Sequence, residues 1–382
     1  MPLPQDIVNL ARFIVRCDPQ NLSMAGTAPT GPVKDWQAFL ALAEAHRIGP
    51  LSHAVLTGTG AAVPEKAAQA LTQVRERHTI LNLARAAELL EVLEAFRAAN
   101  IAAMPFKGVA LSAQLYGDYT LRAAGDLDLF IRWGDLRKAT DIILARGYRL
   151  TTPLGQDGRP SAEGIYEYKF ERPSDETVLE LHTQLNFVHS RYFHAVGMDW
   201  IGDHWQFIQI AGGMVRTADA ETTLLLLCMH GTKHRWDRLN WVCDVAQLLR
   251  GSPELDWDRI RTTAREVGLK KAVALGLNLA KGLCGVSSFA KIAREFDSFP
   301  SVRGIAKNLE RDFFDQPRKG LKGILPFHAR LMDRPDLLRF ILSKEMLRPT
   351  DRDEEFFPLP PSLRWMHVLI RPFRLLMDRS AR

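Results

Sequence analysis

Hydrophobic positions recur with helical spacing over the first hundred residues. Ile7, Leu10, Ala11 and Ile14 fall on one helical face. A stretch rich in Pro, Gly, Ser and Thr at 18–34 reads as a loop, and Trp36, Phe39, Leu40, Leu42 and Ala43 then resume an apolar face. Pro64 suits a first helical position, no Gly or Pro interrupts the chain from there to Ala99, and Asn100 is a fitting stop. One long helix or two abutting ones are predicted there, ending at the short apolar segment Ile101–Phe106.

From about 101 to 190 the pattern changes to short strands alternating with helices. Ile101–Phe106 is bounded by Lys107-Gly108, Val109–Tyr116 reads as helix, Asp126–Ile131 alternates acidic and apolar residues, and Leu136–Arg146 is a helix stopped by Gly147. Tyr166–Phe170 and Val178–Leu181 form a predicted strand pair around the turn-prone Arg172-Pro173-Ser174-Asp175. This order predicts an α+β fold, a small mixed β-sheet with helices on one side and helical regions flanking it. From about 200 onward the chain reads as helical again, with one strong apolar helix over Thr222–Leu249 and proline breaks near 346–362. The expected division is an N-terminal helical region at 1–100, an α/β core at 101–195 and a C-terminal helical domain at 196–382.

Composition narrows the class. Of 382 residues, 46% are hydrophobic and 25% charged, which excludes general disorder, collagen and coiled coil. No apolar run approaches the ~18–20 residues of a membrane span, and Thr223–Met229 is flanked by Glu221 and His230. Asp6, Arg12 and Arg16 interrupt any secretory apolar segment, so a cytoplasmic protein is expected. The cysteines at 17, 228, 243 and 284 show no paired spacing, which implies neither a disulfide scaffold nor a Cys-based zinc site. The net charge of +6 arises entirely from residues 301–382, with 17 basic against 11 acidic side chains; residues 1–300 balance at 33 each. Basic residues mixed with acidic ones over that length read as an ordinary solvated surface.

The chemistry concentrates between Pro105 and Ile131. Asp126 and Asp128 are two apart on a predicted strand, so both carboxylates point to one face, ~6–7 Å apart along the backbone, while Leu127, Leu129 and Ile131 point into a core. Two carboxylates aimed together repel unless a cation or a proton intervenes, and Mg²⁺ takes carboxylate oxygens together with substrate phosphates. Upstream, strand, Lys107-Gly108 and helix in succession put backbone N–H groups at a helix start where phosphate is favoured, with Gly108 allowing close approach and Lys107 supplying a point charge.

This combination resembles the polymerase-beta-like nucleotidyltransferase superfamily. It is more closely similar to a bacterial family of uncharacterised nucleotidyltransferases, through Lys107-Gly108, Leu115-Tyr116, Arg122 and Asp126-Leu127-Asp128. The resemblance continues at Leu179-Glu180-Leu181-His182 and at His230-x-x-Lys233-His234 with Asp244 downstream, and covers roughly residues 36–250. The superfamily's usual turn is Gly-Ser or Gly-Gly; here one Gly stands alone, with Ser112 a helical turn further on.

The resemblance implies transfer of a nucleoside monophosphate from an NTP, ATP being the expected one, to an acceptor that is a small molecule, a peptide or a protein. Asp126 and Asp128 would hold Mg²⁺ or Mn²⁺, and Glu180 would be the third metal-binding carboxylate and orient or deprotonate the acceptor hydroxyl. Lys233 first and Arg122 second would steady the triphosphate. His182 would orient Glu180 or touch phosphate, and His230 and His234 would line the nucleotide cleft. Asp244 is expected to pair with Arg122, Lys233 or Arg235.

Two other classes compete. One is a catalytically silent nucleotide-binding regulatory or scaffold protein, suggested by the missing Gly-Ser. The other is a zinc hydrolase on the His230/His234 pair, which lacks the intervening Glu of a metalloprotease helix. A nucleic-acid acceptor is disfavoured, because the core shows no aromatic–basic interleaving. Leu363–Met377 carries Arg364, Arg371 and Arg374 among apolar residues and offers peripheral membrane contact, but Pro372 interrupts it and packing on preceding helices is expected.

Overall fold

The computed structural model describes residues 3–24, 33–152, 166–185, 197–287, 296, 299–314, 324–331 and 351–371. Four helices come first: α1 (Gln5–Arg16), α2 (Trp36–Ala45), α3 (Gly49–Gly58) and the long α4 (Glu65–Ala98). Helix α1 buries Ile7, Leu10, Ala11 and Ile14 as its spacing requires, and Asp35 caps α2 by accepting from the Ala38 N–H. Pro64 stands at the N-cap of α4 rather than inside it, and Asn100 lies just past the helix end with φ of 56°.

The α+β core follows. Its elements are β1 (Ala103–Pro105), α5 (Gly108–Tyr116), β2 (Leu127–Ile131), α6 (Leu136–Ala145), β3 (Arg149–Leu150), β4 (Glu167–Arg172) and β5 (Thr177–His182). The sheet is mixed, in the order β1-β2-β5-β4-β3, with β2 parallel to β5 and the other pairs antiparallel. Because side chains alternate across a strand, Leu127, Leu129, Ile131, Tyr168, Phe170, Leu179 and Leu181 share the face that packs against Leu89, Val92 and Phe96 of α4 and Ile143 of α6. The opposite face carries the acidic residues.

Further along the chain come α7 (Met198–Ile201), β6 (Trp205–Ile210), β7 (Gly213–Ala218), α8 (Ala220–Lys233), α9 (Leu239–Gly251), α10 (Trp257–Glu266), α11 (Lys270–Cys284), α12 (Pro300–Asp312), α13 (Ile324–Leu331), α14 (Asp351–Phe356) and a 3-10 turn at Pro361–Met366. The stretch after 200 is therefore not helical throughout. Strands β6 and β7 form an antiparallel hairpin, closed by Ala211 and Gly212 at φ of 46° and 84°. Two consecutive left-handed residues match the twist of a tight hairpin, which overrides the helical expectation.

Residues 222–249 likewise do not form one helix. They break at 234–238, where Arg235 and Trp236 adopt φ of 56° and 53°. The break turns the fully buried Trp236 back onto Gly231, where an added Cβ would lie 2.7 Å from the indole ring. Burial of the indole outweighs continuation of the helix.

Side chains of α1–α3 and of α8–α12 share a single core with Met104, Phe106 and Phe130 of the sheet region. Among the described residues no helix is long and apolar enough to cross a membrane. The proline breaks near 346–349 and the segment 372–377 lie outside the described residues; before it, Leu363, Trp365 and Leu369 are exposed.

Candidate functional site

Strand β2 is buried along its whole length, and its parallel register with β5 sets Asp128 opposite Glu180 and Phe130 opposite His182. Strand β4 adds Glu167 opposite His182 and Lys169 opposite Glu180. Alternation therefore puts Asp128, Glu180, His182 and Glu167 on one face, and Asp126 stands immediately before β2 at the same end.

Asp128 is the hub. Its Oδ1 accepts from Lys107 Nζ at 2.9 Å and lies 3.0 Å from His182 Nε2, while its Oδ2 is enclosed and has no hydrogen-bond partner among the described residues. Burial alone would raise the Asp128 pKa, but Lys107 and His182 outweigh it and hold the carboxyl far below its ordinary range. The same balance runs the other way at the partners. Burial opposes the charges of Lys107 and His182, yet Asp128 for the lysine, and Asp128 with Glu180 for the histidine, leave both raised.

Asp126 has the opposite environment. The neighbouring Asp128 charge, then burial, pushes its carboxyl up to about 6, with Lys107 only partly offsetting them. One aspartate of the pair is thus strongly ionised and the other resists ionisation, as expected of two carboxylates held close together with Lys107 bonded to only one of them.

The network extends outward through His182. Its Nε2 is 3.5 Å from Glu180 Oε2, and its Nδ1 is 3.9 Å from Glu167 Oε2. Glu167 in turn lies 3.5 Å from Lys233 Nζ, so Lys233 is tethered to the rim of the acidic face. Glu167 was not marked by sequence motifs; its signal was the same two-residue alternation on β4 that orients Glu180 on β5.

Gly108 has a more specific role than easing approach of a phosphate. Its φ is +59°, and an added Cβ would lie 2.7 Å from the Asp126 carbonyl oxygen, so the absent side chain lets the Lys107-Gly108 turn pack directly on the Asp126 backbone. Ser112 is fully buried; its Oγ donates to the Asp118 carbonyl at 2.8 Å and accepts the Arg122 N–H at 3.2 Å. That serine fastens the loop leading to the aspartates and stands away from the acidic face's hydrogen bonds.

Arg122 meets Asp244. Its Nε donates to both Asp244 oxygens at 3.0 and 2.9 Å, and Tyr116 Oη donates to Oδ1 at 3.2 Å, all three side chains being buried. The pair joins the core to α9.

His230 and His234 sit with Trp241 in a cluster whose ring centroids are 4.6, 5.0 and 5.3 Å apart. Burial lowers both histidines, His230 well below its ordinary value and His234 to about 4, which keeps the rings neutral. The cavity between Lys107, His230, Trp241 and Asp244 measures about 10 Å³, room for roughly one water.

The donor geometry can be tested against a divalent ion. Ligand atoms of Asp128, Glu180 and His182 lie within 4.8 Å of one another, and no other group of three such residues occurs among the described residues. The unpartnered Asp128 Oδ2 and the repulsion felt by Asp126 are what a hard cation would relieve, and carboxylate oxygens are its preferred ligands. The His230/His234 pair has no third donor of this kind among the described residues, which removes the basis for a zinc site there.

The site thus combines a mixed sheet, a glycine turn packed on the Asp126 backbone and a carboxylate, Glu180, opposite Asp128 across the parallel strand. The chain belongs to a family of uncharacterised nucleotidyltransferases, whose model matches residues 32–285. Comparison with curated proteins and with solved structures found no match in either.

Proposed function

We propose that the protein transfers a nucleoside monophosphate from an NTP, taken to be ATP, to an acceptor hydroxyl on a small molecule, peptide or protein. The single observation that carries the reading is the parallel register opposing Asp128 and Glu180, next to Asp126, with Asp128 Oδ2 left unpartnered. In the transfer, the acceptor oxygen forms a bond to the α-phosphorus as the bond from that phosphorus to the bridging oxygen breaks, and pyrophosphate leaves. A divalent ion, Mg²⁺ or Mn²⁺, would be held by Asp126, Asp128 and Glu180 and supplies charge neutralisation at the attacking and leaving oxygens.

The chain's own groups divide the remaining work. Glu180 orients the acceptor hydroxyl and takes its proton. Lys107 and His182 hold Asp128 ionised from its Oδ1 side, which leaves Oδ2 as the oxygen that would meet a cation. Lys233, His230 and His234 border the nucleotide, and Arg122 acts through Asp244 to hold the loop before Asp126. Residues 101–195 are assigned as the catalytic core, with a helical region at 1–100 before it and a region at 196–382 after it that includes the β6–β7 hairpin, and the protein is taken to work in the cytoplasm.

One observation favours a second reading, a nucleotide-binding protein without turnover: Lys107 and His182 already satisfy one oxygen of Asp128 without any metal. Incubation with labelled NTPs, Mg²⁺ or Mn²⁺ and a metabolite or lysate extract separates the two. Mass additions equal to a nucleoside monophosphate, lost in Asp126→Asn, support transfer. Tight Mg·NTP binding with no product from any acceptor supports the silent reading.

A further inference from the structure

Two guanidinium groups from the N-terminal helices lie beside the loop that ends at Asp126 and feel its charge, and no sequence motif marked either. Arg47 occupies the corner between α2 and α3, where the Arg47 N–H bonds the Glu44 carbonyl and the Ile48 N–H bonds the Ala43 carbonyl. This closing turn places Arg47 at φ of 54°, a left-handed position that normally falls to glycine. His46 anchors the corner to distant elements: its Nδ1 accepts the Leu239 N–H at 3.3 Å at the start of α9, and its Nε2 lies 3.1 Å from the Phe313 carbonyl oxygen. The side chain so aimed lies over Gly125, where an added Cβ would be 3.2 Å from Arg47 Nη1.

Arg85 approaches from α4. One turn earlier, Asn82 donates to the carbonyls of Tyr119 and Arg122 at 2.9 and 2.8 Å, which fixes the helix against the loop that ends at Asp126. Arg85 Nη1 is enclosed, and neither Arg85 nor Arg47 has a side-chain hydrogen bond or ion pair among the described residues. Lys107, Arg122 and Lys169, which also lie near the pair, are already committed to Asp128, Asp244 and Glu171. Arg238, also close to Arg47, lies over the Trp241 ring. Arg85 is half-buried and Arg47 keeps part of its surface open to solvent; desolvation by the surrounding protein is the largest influence on both and lowers both pKa values, with Arg238 adding repulsion at Arg47 and Asp126 giving partial relief to each. Two cations so placed gain from an anion carrying more charge than Asp126 offers.

We infer that Arg47 and Arg85 form a clamp for the pyrophosphate-like end of a polyphosphate, the β- and γ-phosphates of the NTP. This deepens the transfer reading and rests on it. It makes the N-terminal helices part of the substrate site, supplying the phosphate grip for which the Lys107-Gly108 turn lacks a serine. A glycine at 47 would suit the backbone better; an arginine there is accounted for by what its side chain holds.

The test titrates inorganic pyrophosphate into the full-length protein by calorimetry, without metal and then with Mg²⁺, comparing wild type with Arg47→Gly and Arg85→Met. Each variant is expected to weaken pyrophosphate binding by about 10–100-fold. Arg47→Gly should do so with a melting temperature equal to or above wild type, because the left-handed position is relaxed. Wild-type affinity in both variants, or no pyrophosphate binding by wild type, overturns the inference. Orthophosphate bound as tightly as pyrophosphate, with both lost in the variants, also overturns it, since the clamp would then serve a phosphorylated acceptor.

Failure of the transfer reading has a different signature. Arginine-dependent pyrophosphate binding without any nucleotidyl product leaves the clamp standing and removes transfer. Product formation with an unchanged KM for NTP in both variants removes the clamp and leaves transfer.

Discussion

Asp128 and Glu180 oppose each other residue for residue across the parallel strands β2 and β5, in a sheet whose other face is a closed apolar core. The opposition fixes both carboxylates to one surface without help from any loop. It also makes the acidic face rigid, because shifting the register by one residue would turn Leu179 and Leu181 out of the core.

The two aspartates should respond oppositely to neutralisation. Asp128→Asn leaves Lys107 and His182 facing an uncharged amide in a buried setting and should destabilise the metal-free protein by about 3 kcal/mol or more. Asp126→Asn removes a repelled charge and should leave stability unchanged or raised. Denaturant unfolding in the presence of a chelator checks the pair; equal losses in both would contradict the asymmetric environments. Both variants are expected to abolish NTP-dependent transfer.

The pH dependence follows from the same asymmetry. The Asp126 carboxyl titrates at about 6 in the folded chain and near its ordinary ~3.9 when unfolded, so its ionisation costs stability. That cost is absent below the unfolded value, grows as the pH rises through 6 and is complete above it. Wild type should therefore lose stability relative to Asp126→Asn between pH 4 and pH 7 without metal. Mg²⁺ or Mn²⁺ should restore it, with affinity rising as the pH passes 6; at 100 times Kd the gain is about 2.7 kcal/mol. Thermal melts across pH with and without the ion measure this, and a pH-independent difference would count against it.

Gly108 should not accept a side chain. Gly108→Ala meets the Asp126 carbonyl oxygen at 2.7 Å and a φ of +59°, and neither backbone segment yields cheaply. A loss of about 3 kcal/mol is expected, together with weakened metal binding because Asp126 is displaced. Calorimetric melting and a Mn²⁺ titration of the variant read the two effects separately.

The Arg122–Asp244 pair should prove structural. Asp244→Asn leaves a buried guanidinium short of charge and should cost about 3–5 kcal/mol, whereas Arg122→Met with Asp244→Leu should recover much of that loss. Unfolding free energies of the singles and the double variant decide it. A large loss of transfer with no loss of stability in Asp244→Asn would instead give the pair a direct part in the chemistry.

By itself the sequence determined which side chains share a face. A period of two placed Asp126 with Asp128 and Glu180 with His182, and set Leu127, Leu129, Leu179 and Leu181 against them, because strand geometry is local and needs no knowledge of the rest of the chain. The helical faces of α1 and α2 and the strand pair around 172–175 were legible for the same reason. The hairpin at 205–218 and the break at 234–238 were not read, the first because its turn sits on Ala211-Gly212 rather than an Asn-Gly or Asp-Gly pair and the second because a helix buried all round shows no periodicity to interrupt.

Tertiary structure alone decided which cation meets which anion. Lys107, read as a phosphate ligand, binds Asp128, and Arg122 finds Asp244 across 122 residues of chain. Arg47, from the corner between α2 and α3, comes to lie against Gly125, next to Asp126, at a position no motif marked. Charge pairing acts over a few ångströms of space rather than along the chain, so the partners of a side chain depend on how distant helices close onto the sheet, and no local pattern records that.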